Sequence, residues 1–362
     1  MSLMLQWKTV CVLTCCASFV AAPGTAAQPL ADEIVQAPQL DAQARATLTQ
    51  YVRQRVTMLE SGQTEAVEQA RRELIEPFRR QGVRASVAFR LGVSDALAGA
   101  LERLAQHESD FVAANALLVA GPLATGDGLT ALQRGFDDPR PSVRYAAAAG
   151  AAALVEALAR GDDALPEAQA AQAVSMLGQA LAAEPDPVVV DGVVLAMTRV
   201  VGAEDAALQF SMLTRMCQAM AGQVQRRRQA LDEHAALFER ALVRAVSSVR
   251  RPFLRLAGSI DRDFALQAAA MSGQALRFAL ARWESGAVDS SQTQQRLDAY
   301  AKAAETVLII AHGELTRREE RALLPAEGAL SLEQLRRAVS HWTGPNGVLT
   351  GPPYNMDPAE FQ

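Results

Sequence analysis

Catalysis needs an acid, a base, a nucleophile or a metal ligand brought to one spot, and the 362-residue chain is sparing with all of them. Its four histidines, His107, His234, His312 and His341, stand 29 or more residues apart. None has the i, i+4 partner that lets one helix face grip a metal, and no cysteine is spaced to help. A surface or capped-core role fits each of them better than ligation. There is no Gly-x-Ser-x-Gly elbow and no Ser-x-x-Lys, and the lysines are only Lys8 and Lys302. The glycines of Gly121-Pro-Leu-Ala-Thr-Gly126-Asp-Gly128 are not followed by Lys-Ser/Thr, so they read as a turn rather than a phosphate loop. Glu319-Glu320 lies among Arg317, Arg318 and Arg321, as on a solvated helix. No catalytic residue, cofactor or metal site is assigned.

Arginine is the one chemical excess. The chain has 33 Arg against those two Lys, yet a formal charge of −5 removes any global basic field and with it a dedicated nucleic-acid role. Between Arg215 and Arg255 nine Arg, including Arg226, Arg227, Arg228, Arg250 and Arg251, face only Asp232, Glu233 and Glu239, a local charge of +6. Such a stripe suits an anionic partner: an acidic protein face, a lipid headgroup or a cell-wall polymer. The alternative is an acidic helix packed beside it and neutralising it.

Residues 1–27 carry the pattern of a secretory signal peptide, with one charge at Lys8, an apolar run from Thr9 to Ala22 and small residues at Thr25-Ala26-Ala27. The run is shorter than the roughly 20 residues that span a bilayer, so no transmembrane segment is expected after cleavage. Lipoprotein anchoring at Cys15 or Cys16 is the weaker reading, because Val12-Leu13-Thr14 lacks the small residues of a lipobox. The expected location is periplasmic or extracellular. Export would remove Cys11, Cys15 and Cys16 and leave Cys217, among Met212, Leu213, Met216 and Met220, as a small buried apolar group.

These residues must be positioned by helices. Seventy-one Ala and 18 aromatics favour them, and no stretch alternates strictly enough for a sheet. Residues 28–40 read as a linker and 41–92 as N-terminal helices, opened by Asp41 as a cap before Leu48, Val52, Val56 and Leu59. Within 93–201 a grammar recurs. Leu129, Leu132 and Phe136 lead to Asp138-Pro-Arg-Pro-Ser-Val143-Arg144 and then to the alanine run at 146–149; 46 to 48 residues later Met176, Leu177 and Leu181 lead to Pro185-Asp186-Pro187 and on to Val193, Val194 and Met197. A fainter copy runs through Leu97, Leu101 and Leu104 to Asp110. Helix, proline turn, helix at this period marks stacked hairpins.

The segment from Asp138 to Arg144 resembles the HEAT repeat signature. The resemblance implies an α-solenoid in which Asp138 and Arg144 form a structural ladder between repeats, with Asp186 as the second copy's acid and no Arg to match it. HEAT-type metal-dependent hydroxylases use several His-Glu pairs; the sole one here is His107-Glu108, so that activity is not implied.

Residues 202–342 carry heptad-like stripes, such as Leu231, Ala235, Phe238, Leu242, Ala245 and Val249, and read as a long-helix bundle or as longer hairpins extending the solenoid. Ser331 and Gln334 form a capping box for the last helix. Glycines and prolines in 343–362 forbid a helix there, and a flexible tail is expected, with docking through Trp342 and Tyr354 as the alternative. The whole reads as an all-α, exported, non-enzymatic scaffold or adaptor that binds another protein. A ligand-binding protein or enzyme with a pocket in the C-terminal helices, and a self-assembling envelope component, are the alternatives.

Overall fold

The computed structural model describes residues 29–361 apart from 98, 230, 232–234, 257 and 289. The expected signal peptide with its three cysteines lies outside the described residues, as does His234. The fold is all-α, and no strand occurs among the described residues. The helices are α1 (Asp32–Gln36), α2 (Ala42–Glu60), α3 (Thr64–Arg79), α4 (Val87–Leu97), α5 (Ala100–Ala105), α6 (Asp110–Leu123), α7 (Gly126–Phe136), α8 (Pro141–Ala159), α9 (Glu167–Ala183), α10 (Pro187–Thr198), α11 (Ala206–Gln229), α12 (Ala235–Arg255), α13 (Arg262–Glu284), α14 (Ser291–Thr316) and α15 (Leu332–Thr343).

Local chemistry sets their ends. Asp41 accepts from the Ala44 amide at 2.7 Å, and Asp186 accepts from the amides of Val188 and Val189 at 2.8 and 3.3 Å, each satisfying donors that a helix start leaves orphaned. Pro141 and Pro187 open α8 and α10, where a missing amide hydrogen costs nothing. The capping box at Ser331 and Gln334 forms in both directions.

Alternate helices pack side by side. One row runs α6, α8, α10, α12, α14, and the other runs α9, α11, α13, α15 after the α5–α7 pair. The alternation passes residue 202 without a break, since α11 lies on α9 and α12 on α10, and one continuous apolar core joins the rows. Helix α8 is long and apolar enough to cross a membrane, but it is half-buried between α6 and α10. Its small residues decide how near α6 can come: a Cβ on Gly121 would lie 1.9 Å from the Gly150 carbonyl oxygen, and one on Gly150 would lie 2.3 Å from that of Leu117. Only glycine allows that crossing.

Two segments differ from expectation. The linker at 28–40 holds the one-turn helix α1, whose Val35 is fully buried beside Leu30. The tail is not loose: no α-helix forms in it, but Leu349 and Phe361 are 0% and 1% exposed and fill the notch that Gly273 leaves on α13. Gln274 Nε2 ties it down by donating to the Glu360 carbonyl at 2.7 Å. Helix breakers forbid a helix and say nothing against packing.

Candidate anion-binding groove

The repeat-turn residues are placed at one end of the hairpins, with partners other than those the resemblance implies. Arg144 forks to Glu184 at 2.8 and 2.9 Å and donates to the carbonyls of Asp138 and Pro139 at 3.0 and 2.9 Å. The rung between the α7–α8 and α9–α10 hairpins is therefore Arg144–Glu184. Asp138 is held by Arg140, which also reaches back to Asp110 at 3.0 Å and to the carbonyls of His107 and Glu108. Those hydrogen bonds hold the Asp138 carboxyl below the usual carboxylate range. Asp186 is a helix cap, and its amide donates to Glu184 at 2.9 Å.

The basic segment divides into parts with different work. Arg226 and Arg227 donate to the carbonyls of Ala182 and Pro185 at the end of α9, Arg227 also stacks over the Phe238 ring at 4.8 Å, and Arg228 donates to the carbonyls of Glu360 and Phe361 in the tail. These three arginines tie the end of α11 to the end of α9 and to the C-terminal tail. Arg250 is exposed on α12, while Arg251 joins a different group.

That group lines a groove of about 700 Å³ between α10, α12 and α14. Arg240, Arg244, Ser247, Ser248 and Arg251 share a face of α12 because steps of three and four return to the same side of a helix. Arg199 and Thr198 close one side from the end of α10, and Arg296 reaches in from α14. Five guanidinium groups converge on a surface whose lining contains no carboxylate and no histidine. Asp191 lies behind it and takes Arg244 at 3.0 Å and Arg240 at 3.7 Å. Arg199 and Arg251 pair with no carboxylate among the described residues.

Beneath the groove Glu239 of α12 is fully enclosed, 3.0 Å from Arg282 of α13 and 3.5 Å from Arg296. Burial pushes its carboxyl up and the two arginines act against that shift; burial likewise raises the neighbouring Tyr300 hydroxyl. An arginine and a glutamate from facing helices do converge here, as the pocket alternative requires, but Glu239 has no surface to offer a ligand. The groove itself offers donors and positive potential without a base or an activated nucleophile, which equips it to hold an anion.

Of the residues singled out from the sequence only Arg251 lines the groove; Arg250 lies outside it, Arg240 and Arg244 are counted in the basic segment without being singled out, and Arg199 and Arg296 lie beyond that segment. The i, i+4, i+11 spacing of Arg240, Arg244 and Arg251 is a legible one-face signal; the contributions of α10 and α14 are not legible. Sequence reasoning also missed that His312 and His341 both face Glu320, at 3.9 and 3.5 Å, although no group of three metal-ligating side chains with metal-site geometry occurs among the described residues. Cys217 is fully buried and its thiol is pushed up by that burial. No family model matches the chain, and no curated protein matches it either.

Proposed function

We propose that the chain is an exported, non-enzymatic helical-repeat scaffold of the HEAT type that holds a partner protein in the cell envelope, and that the α10–α12–α14 groove is where the partner seats an acidic stretch. The groove carries the reading: five arginines line it and no acid does. Guanidinium groups fork to carboxylates, so a run of Asp and Glu is the complementary ligand. The two rows of alternating helices support the repeat part, because each hairpin covers its apolar face only by lying against the next. A photo-crosslinking residue placed at Ser247 in the groove tests it in cells. The expected result is one adduct with a different envelope protein, absent when the crosslinker sits at the exposed Glu65 of α3. No adduct from the groove overturns the reading, and adducts only between copies of this chain turn it into self-assembly.

A further inference from the structure

A second cleft, built on α3, α4, α6 and α8, shares no lining residue with the groove. The α3–α4 connector (Arg80, Gly82, Val83, Arg84) forms one wall, the last turns of α8 (Ala153, Glu156, Ala157) with Arg160 and Asp162 form the other, and Arg90 and Pro122 line the base, around about 670 Å³. The walls are bridged by the Arg84–Asp162 ion pair and by Arg84 donating to the Gly161 carbonyl at 2.8 Å.

Arg90 is the unusual group. It is 3% exposed, yet no carboxylate contacts it: Nη1 donates to the carbonyls of Pro122 and Leu123 at 2.6 and 3.1 Å, Nε has no partner, and Nη2 makes no hydrogen bond among the described residues. Carbonyls at the end of α6 offset part of a buried positive charge. The Phe78 ring, 5.1 Å from the guanidinium carbon, and the more distant carboxylates of Asp162 and Asp163 offset more of it, but none of these groups gives Nε or Nη2 a hydrogen bond, and burial still pulls the guanidinium down to about 10. The other cations of the cleft are mostly committed. Arg160 is held by Glu156 and Asp162, and Arg80 by Glu76 and Asp32.

We propose that this cleft is a binding site for a small organic monocarboxylate, whose carboxylate pairs with Arg90 and whose apolar body lies against Phe78, Val83, Ala153 and Ala157. Arg90 is the buried guanidinium of the cleft and matches one negative charge, while Arg79, which also lines the cleft, is exposed to solvent. Glu156 and Asp162 on the wall repel a polyanion, which separates this site from the groove. A carboxylate oxygen can accept from Nη2, which unlike Nε is not enclosed, and the apolar wall gives an organic acid an advantage over inorganic anions.

Calorimetric titration of the full chain with sodium octanoate, octanamide and inorganic phosphate tests the proposal. Saturable 1:1 binding of octanoate is expected, with octanamide and phosphate weaker by at least about tenfold. Arg90→Gln should abolish the preference for the acid over the amide. Because Arg90 also serves the end of α6, Ala153→Phe is the second variant: it narrows the cleft while leaving the Arg90 side chain in the protein, and should weaken octanoate by at least about tenfold. Equal binding of acid and amide, no saturable octanoate binding, or octanoate binding unchanged in Ala153→Phe each overturns the proposal.

Discussion

Arg144 and Glu184, 40 residues apart, form a two-pronged pair at 2.8 and 2.9 Å that ties one helical hairpin to the next, with side chains 13% and 5% exposed. Arg144 also serves two carbonyls of its own turn. Arg144→Ala should cost about 2–3 kcal/mol in chemical denaturation, because it leaves a nearly buried carboxylate without its cation. Replacing both partners, Arg144→Met with Glu184→Leu, should recover part of that loss. Equal losses for the single and double variants would show that the pair does not couple the hairpins.

The crossing of α6 and α8 has its own signature. Gly150→Ala puts a methyl group 2.3 Å from the Leu117 carbonyl oxygen, backbone that cannot swing aside, and should destabilise by about 1–3 kcal/mol or more. Gly222→Ala on α11 meets only the end of the Arg226 side chain at 3.6 Å and should stabilise by about 0.5–1 kcal/mol through helix propensity. Thermal melts of the two variants should therefore shift in opposite directions.

Acid should act through Asp138. Its carboxyl is held low by Arg140 in the folded chain, so the unfolded chain binds the proton more readily. That contribution is present above the ordinary carboxylate value, about 3.9, and is lost as pH falls through the folded value. In Asp138→Asn the acid limb of stability against pH should be shallower below about pH 4, with little change in slope at neutral pH. An unaltered acid limb would place the acid sensitivity elsewhere.

Cys217 should stay silent toward a thiol reagent such as Ellman's in the folded protein and react fully once denaturant is added, since burial both excludes the reagent and disfavours the thiolate. Rapid native labelling would mean that the core between α9, α11 and α13 opens readily.

Helices, caps and proline turns were legible in the sequence because their causes are local: Asp41, Asp186 and Ser331 each act within three residues of themselves. The ladder was half legible. Arg144 stands out at its turn, but its partner Glu184 lies one hairpin further on, where no linear motif points to it. The charge count from 215 to 255 merged two populations, since Arg226, Arg227 and Arg228 serve carbonyls of α9 and the tail, while Arg240, Arg244 and Arg251 open on a groove. Arg199 and Arg296 reach that groove only through the packing of α10 and α14 on α12. The tail shows the same limit: Gly344, Pro345 and Gly347 set the local backbone, but the burial of Leu349 and Phe361 depends on Gly273, about 80 positions earlier in sequence.

The groove is tested most directly by fluorescence anisotropy of a labelled peptide of Asp and Glu titrated with the full chain. Wild type should bind, and more weakly as salt rises, because the contacts are between solvent-facing charges. The double variant Arg199→Gln, Arg251→Gln should lose about tenfold in affinity, from two contacts of about 0.7 kcal/mol each, while Arg250→Gln, outside the groove on the same helix, should bind as wild type. Equal binding by wild type and the double variant, or an equal loss in Arg250→Gln, would contradict the assignment of this groove as the acidic partner's seat.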